Sequence, residues 1–282
     1  MRHGGAVGDN STVSETGTQD NLTIALGSQP TGNVVIDLTS EDTGEFTVSP
    51  TQVTFTTGNW NTTQTLTVTG VNDSIADGTQ QVQLRSSINT GLTADSTYDA
   101  LSNVSKPIVT FDDDTAGFTL AQSGGSTAVA ESGSTDSFTV VLNSQPTGDV
   151  VFSVTSSDTG EATVSPSALT FTTGNWNSAQ TVTVTGVNDS IDDGNVNSTT
   201  TIAINTGSTA DSTYDSVSSQ TVTVTTADDD TAGFTVTQSG GSTSVTEAGS
   251  TDTFTVVLNT QPTGDVVFAL TCLLYTSDAA DE

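Results

Sequence analysis

Positive charge is nearly missing from this chain. Its 282 residues include three basic side chains, Arg2, Arg85 and Lys106, against 33 Asp and Glu, for a formal net charge of −30. A nucleic-acid binder needs a basic footprint to meet phosphate, so that class is excluded. Docking on an anionic membrane surface is disfavoured for the same reason. No apolar run reaches the roughly 18–20 residues of a membrane helix, so no direct membrane insertion is expected. Histidine is reduced to His3, in a terminus outside the repeat pattern described below. Serine is plentiful but has no imidazole base and no Gly-x-Ser-x-Gly context, so nucleophilic catalysis lacks its parts and the chain reads as a non-enzyme. The single cysteine, Cys272, permits no disulfide within the chain and no thiolate zinc site.

The ends differ from the rest. The N-terminus has no apolar stretch of the kind a signal peptide carries. The last eleven residues, CLLYTSDAADE, break with the Thr/Val/Gly style of everything before them. Their back-translation matches a transposon-derived sequencing adapter. Residues 272–282 are therefore expected to be adapter read-through, and the chain a fragment of a longer protein.

What is present is repetition. The phrase Gln-Pro-Thr-Gly begins at Gln29, Gln145 and Gln261, a spacing of 116 residues each time. Thr-Thr-Gly-Asn-Trp ends at Trp60 and Trp176, Gly-Val-Asn-Asp begins at Gly70 and Gly186, and Asp-Asp-Asp-Thr-Ala-Gly-Phe begins at Asp112 and Asp228. Residues 116–154 and 232–270 are identical at 30 of 39 positions. Solenoids repeat every 20–50 residues, so a period this long is that of a domain. The expected units are 1–114, 115–230 and a truncated 231–271 that lacks the chain to complete its own sheets.

Within a unit the pattern is β. Leu, Ile, Val and Phe total 63 residues, just above the share of roughly one-fifth below which highly charged chains stay disordered. Pattern decides in favour of order. In the second unit, 117–122, 137–143, 149–155, 168–173, 180–187, 198–205 and 220–226 read as strands. Thr-Val-Thr-Val-Thr alternates strictly, placing Val toward a core and Thr toward water. Gln-Pro-Thr-Gly, Ser-Asp-Thr-Gly and Asp-Asp-Gly separate the runs as turns. Seven short strands in about a hundred residues predict tandem antiparallel β-sandwiches, immunoglobulin-like in class. Trp60 and Trp176 are expected to pack over a sheet edge, and Tyr98 and Tyr214 to anchor a loop.

The acids cluster. The first unit has Glu15, Asp73, Asp77, Asp112, Asp113 and Asp114, and the second has Glu131, Asp189, Asp192, Asp193, Asp228, Asp229 and Asp230. These positions lie where strands end, at loops that can meet at one end of a sandwich. Like charges this close repel unless something positive or neutral intervenes. With Lys and Arg scarce, the candidates are protons, bulk salt or a bound cation. A hard cation taking six to eight oxygens suits such loops, Ca²⁺ better than Mg²⁺. The competing reading is a solvated acidic turn.

Val-x-Glu-x-Gly (Val13, Glu15, Gly17; Val129, Glu131, Gly133), a strand running into Val187-Asn188-Asp189 and a closing Asp-Asp-Asp resemble the Calx-beta family. That resemblance implies an immunoglobulin-like sandwich with calcium sites at the end nearest the next unit. It implies Glu131, Asp189, Asp228, Asp229 and Asp230 as ligands, with Asp192 or Asp193, and likewise Glu15, Asp73, Asp77, Asp112, Asp113 and Asp114. The sequence departs from the family where Ser-Ser-Asp-Thr-Gly-Glu replaces a central Asp-Tyr segment and where Asn188 replaces an Asp. The wording of the repeats is similar to that of large bacterial adhesins. The expected setting is extracellular or at the cell surface, with neighbouring repeats as partners and a surface glycan or protein as the ligand of a stalk or adhesive array. The alternatives are an ion-independent binding module and an accessory region of an extracellular hydrolase.

Overall fold

The computed structural model describes residues 2–5 and 11–271. The proposed adapter segment, 272–282, lies outside the described residues.

The first repeat is built from β1 (Arg2–Gly5), β2 (Ser11–Ser14), β3 (Gln19–Ala25), β4 (Val34–Ser40), β5 (Phe46–Ser49), β6 (Gln52–Phe55), β7 (Gln64–Gly70), β8 (Gln80–Ile88) and β9 (Val104–Phe111). They form a four-stranded sheet, β1-β3-β7-β5, facing a five-stranded sheet, β2-β9-β8-β4-β6. The second repeat reproduces this with β10 (Phe118–Gln122), β11 (Thr127–Ala130), β12 (Thr135–Leu142), β13 (Val150–Ser156), β14 (Ala162–Ser165), β15 (Ala168–Phe171), β16 (Gln180–Gly186), β17 (Val196–Ile204) and β18 (Gln220–Ala227). Its sheets are β10-β12-β16-β14 and β11-β18-β17-β13-β15. Pairing is antiparallel except where β2 runs parallel to β9 and β11 parallel to β18. The chain is thus all-β, a series of immunoglobulin-like sandwiches.

Each of the first two repeats holds nine strands where the alternation pattern marks seven. The first strand of the second repeat is split between the two sheets by a turn at Ser123–Gly125, where Gly124 and Gly125 take positive φ. A backbone in that region favours glycine, and it lets β10 leave one sheet and β11 enter the other. The other addition, β14, is a four-residue edge strand paired with β16.

Alternation does what the sequence predicts. Val182 and Val184 on β16 are fully buried while Thr181 is exposed. Phe152 lies at the middle of the second core, its ring 4.8 Å from Phe118 and 5.8 Å from Phe171, both edge to face. Each repeat has its own buried cluster, one spanning Val13 to Ile108 and the other Phe118 to Val224. Trp60 and Trp176 pack half-buried against these clusters. Among the described residues the strands of the third repeat are the hairpin of β19 (Phe234–Gln238) and β20 (Phe254–Leu258). Many of its apolar side chains, among them Phe234, Val257 and Val267, are exposed.

Candidate metal centre at the end of each repeat

The parallel pairing of a short strand with the last long strand, β2 with β9 and β11 with β18, brings the acids together. In the second repeat Glu131 follows β11, and its amide donates to the carbonyl of Ala227 at the end of β18 at 3.1 Å. The Asp228, Asp229 and Asp230 run therefore leaves the sheet beside Glu131. Gly186 ends β16, and a Cβ there would overlap the backbone of Ala130. This close approach places Asp189 next to the same glutamate. Val187 donates to the carbonyl of Glu161 at 2.8 Å, which fixes Glu161 at the rim. The first repeat repeats every step: Glu15 donates to Phe111, Val71 donates to Glu45, and a Cβ on Gly70 would overlap Ser14.

Among the described residues two carboxylate triads result in each of the first two repeats. In the first they are Glu15 with Asp112 and Asp114, and Glu15 with Glu45 and Asp77. In the second they are Glu131 with Asp189 and Asp230, and Glu131 with Glu161 and Asp193. Within each triad one oxygen per residue lies within 4.8 Å of the others. The glutamate shared by the two triads is buried: Glu15 is 2% exposed and Glu131 1%. Glu45 and Glu161, at 7%, are nearly so. One oxygen, Oε2, of each of these four glutamates is buried with no hydrogen-bond partner.

Such oxygens are costly in isolation, because a buried acceptor without a donor loses its hydration and regains nothing. The proton affinities reflect this. Glu15 is pushed up to about 7, first by burial and then by the charges of Asp73, Asp112, Glu45 and Asp77. Glu131 is raised by burial and then by Asp189 and Asp228. Burial, followed by neighbouring carboxylates, also raises Glu45, Glu161, Asp114 and Asp230. Asp228 is lowered, because the amides of Asp230 and Gly194 donate to it. It accepts from Gly194 at 2.6 Å and from Asp230 at 2.8 Å. Asp112 does the same for Gly78 and Asp114. These two aspartates tie the acidic loop to the strand exit.

The remaining sequence-predicted acids are placed as follows. Asp73 and Asp189 accept from the amide two residues on, Ile75 and Ile191, each closing a turn. Asp192 is exposed and accepts from the amide of Ala232 at 2.6 Å. Asp113 and Asp229 are exposed and belong to neither triad of their repeats. Sequence reasoning misses Glu45 and Glu161: Glu161 directly follows a Ser-Asp-Thr-Gly turn, and Glu45 follows the matching Glu-Asp-Thr-Gly. Their signal was a glutamate at the same 116-residue offset, directly ahead of a β run.

Oxygen-only donors on irregular loops, with buried acceptors turned inward, suit a hard cation of flexible coordination. The residues present fit Ca²⁺, and in each of the first two repeats one buried glutamate is common to both triads. Fold and site together define an acidic tandem β-sandwich protein with a paired carboxylate centre at the end of each complete repeat. Neither a scan against protein-family models nor a search of curated proteins finds a match. Among solved structures, CBD12 from CALX1.2 is similar at 12% identity and TM-score 0.31, covering 80% of this chain and 100% of that one. The calcium binding domain CBD12 of CALX1.1 is similar at 15% and 0.31, covering 69% and 77%. Domains 4 and 5 of the S-layer protein SbsC are similar at 19% and 0.32, covering 72% and 73%. Among the described residues no helix is long and apolar enough to cross a membrane.

Proposed function

We propose that the chain is a non-catalytic repeat region of a secreted or cell-surface bacterial protein, a stalk or adhesive array stiffened by calcium. The observation that carries this reading is the set of four buried glutamate oxygens without partners, Oε2 of Glu15, Glu45, Glu131 and Glu161, each inside a carboxylate triad. A cation supplies what those oxygens lack. The same constellation recurs in consecutive repeats, which suits a structural role at each junction better than a single reaction centre. Sites assembled from loops fit the 10⁻⁴–10⁻³ M affinities of extracellular calcium modules, hence an extracellular setting. Without the ion the carboxylates repel and the loops loosen. With it, the loop after β7 or β16 is bound to the strand exit that leads into the next repeat.

The test is thermal unfolding of the chain in chelator, then in millimolar Ca²⁺, with Mg²⁺ as control. A ligand confined to the native state adds about 2.7 kcal/mol at a hundred times Kd. A rise specific to Ca²⁺ is expected. An unchanged midpoint overturns the proposal.

A further inference from the structure

The repeats touch through a feature independent of the metal reading. In the second repeat, the amide of Gln145 donates to the carbonyl of Ser74 in the first at 2.6 Å, and Gln145 forms a parallel bridge with Ile75. The next junction repeats the contact, the amide of Gln261 donating to the carbonyl of Ser190 at 2.7 Å. There Ile191 lines the same cleft as Gln261, Pro262 and Gly264. One surface is thus the acidic loop after β7 or β16, and the other is the Gln-Pro-Thr-Gly turn.

Both sides are prepared before they meet. On the loop, Asp73 and Asp189 accept from Ile75 and Ile191, closing a turn around the serine between them. On the turn, Tyr214 donates to the carbonyl of Ser144 at 2.6 Å, and Asp211 accepts from the amide of Thr147 at 2.7 Å. Those bonds hold the turn from inside its own repeat.

The first repeat carries the same turn in the same braces. Tyr98 donates to the carbonyl of Ser28 at 2.6 Å, and Asp95 accepts from the amide of Thr31 at 2.7 Å. Yet Ser28 and Gln29 are exposed where Ser144 is buried and Gln145 half-buried. Among the described residues nothing accepts from the Gln29 backbone amide, although its side-chain amide donates to the carbonyl of Thr57 at 3.0 Å. We infer that the turn at residues 28–32 is a preformed docking site for the acidic loop of a further copy of this repeat, which would seat as the first repeat seats on the second. Such a contact joins two different surfaces, so it extends as an open chain and does not close as a symmetric pair.

The experiment reads amide hydrogen exchange by NMR in the full chain, in 150 mM salt and millimolar Ca²⁺ to screen the shared negative charge. The probe is residues 115–230, whose two sheets and core close within that span. In the chain alone, Gln145 is expected to exchange more slowly than Gln29. At saturating probe, Gln29 should slow by about tenfold or more. A second probe, residues 115–271, has its acidic loop already taken by Gln261 and should leave Gln29 unchanged. The inference is overturned if Gln29 and Gln145 exchange alike in the chain alone, if neither probe slows Gln29, or if both slow it equally.

Discussion

The carbonyl of Ala130 occupies the space that a Cβ on Gly186 would need. That single approach holds the end of β16 against the end of β11, and so holds Asp189 against Glu131. Gly186→Ala is expected to destabilise the second repeat by about 1–3 kcal/mol through overpacking. Urea unfolding followed at Trp176 reads the stability. Calcium titration of the same variant should show weakened binding, because the loop that carries Asp189 and Asp193 must shift. The matching substitution in the first repeat, Gly70→Ala, should act alike.

Glu131→Gln and Glu161→Gln separate the two consequences of a buried carboxylate. Removing an unpaired buried charge is expected to raise the stability of the calcium-free protein by about 1–3 kcal/mol. The same changes should abolish most of the gain on adding Ca²⁺ to the second repeat. Unfolding midpoints with and without the ion check both. A variant that loses stability in chelator and keeps its calcium response would contradict the site.

The calcium-free protein should have a definite pH profile. The folded state holds a proton on Glu15 up to about 7, whereas the ordinary value is 4.5. Between those limits the folded chain binds more protons than the unfolded one, so stability falls as pH rises through that window. Asp95 works in the opposite sense. Hydrogen bonds from Thr97 and Thr31 lower it from 3.8 to about 2. Its contribution is present above the ordinary value and is lost as pH falls toward 2. Midpoints in metal-free buffer should therefore peak near pH 4–5. Glu15→Gln should flatten the alkaline side and Asp95→Asn the acid side.

The second core contains polar side chains that the first replaces. Ser198 and Thr200 on β17 are buried with hydroxyls that find no partner. The equivalent positions on β8 are Val82 and Leu84. Thr200→Leu should stabilise the second repeat by about 1–2 kcal/mol, combining apolar burial with removal of an unsatisfied hydroxyl. Denaturant midpoints of the two repeats, which differ in this feature, should move closer together.

Strands such as β16 were legible because period-two alternation survives in Thr-Val-Thr-Val-Thr whatever surrounds it. The aspartate triplets and Glu131 were legible because their spacing recurs. Glu161 was not, because it sits in a turn whose Asp and Gly account for the local sequence without it. Only the pairing of β14 with β16 carries it to the cluster. Asp229 shows the reverse limit. Three adjacent aspartates look equivalent in sequence, but the backbone turns successive side chains in different directions, and the middle one faces water. β11 and β14 escaped because Thr-Ala-Val-Ala and Ala-Thr-Val-Ser each hold one large apolar residue, too little alternation to register, and glycines mark the crossing of β10 to β11 only as a turn.

The chain enters the second repeat through β10, paired antiparallel with β12, and continues into β11, which lies parallel to the exit strand β18. β2 and β9 stand in the same relation in the first. Tension applied along the array pulls such partners past each other lengthwise. Every hydrogen bond of the four-residue pairing from Thr127 to Ala130 then carries load together, and none can open ahead of the rest as in a zipper. Each repeat is therefore wired for resistance to stretching at its own ends, with Glu131 and Asp228 at the point where the pulled strand emerges.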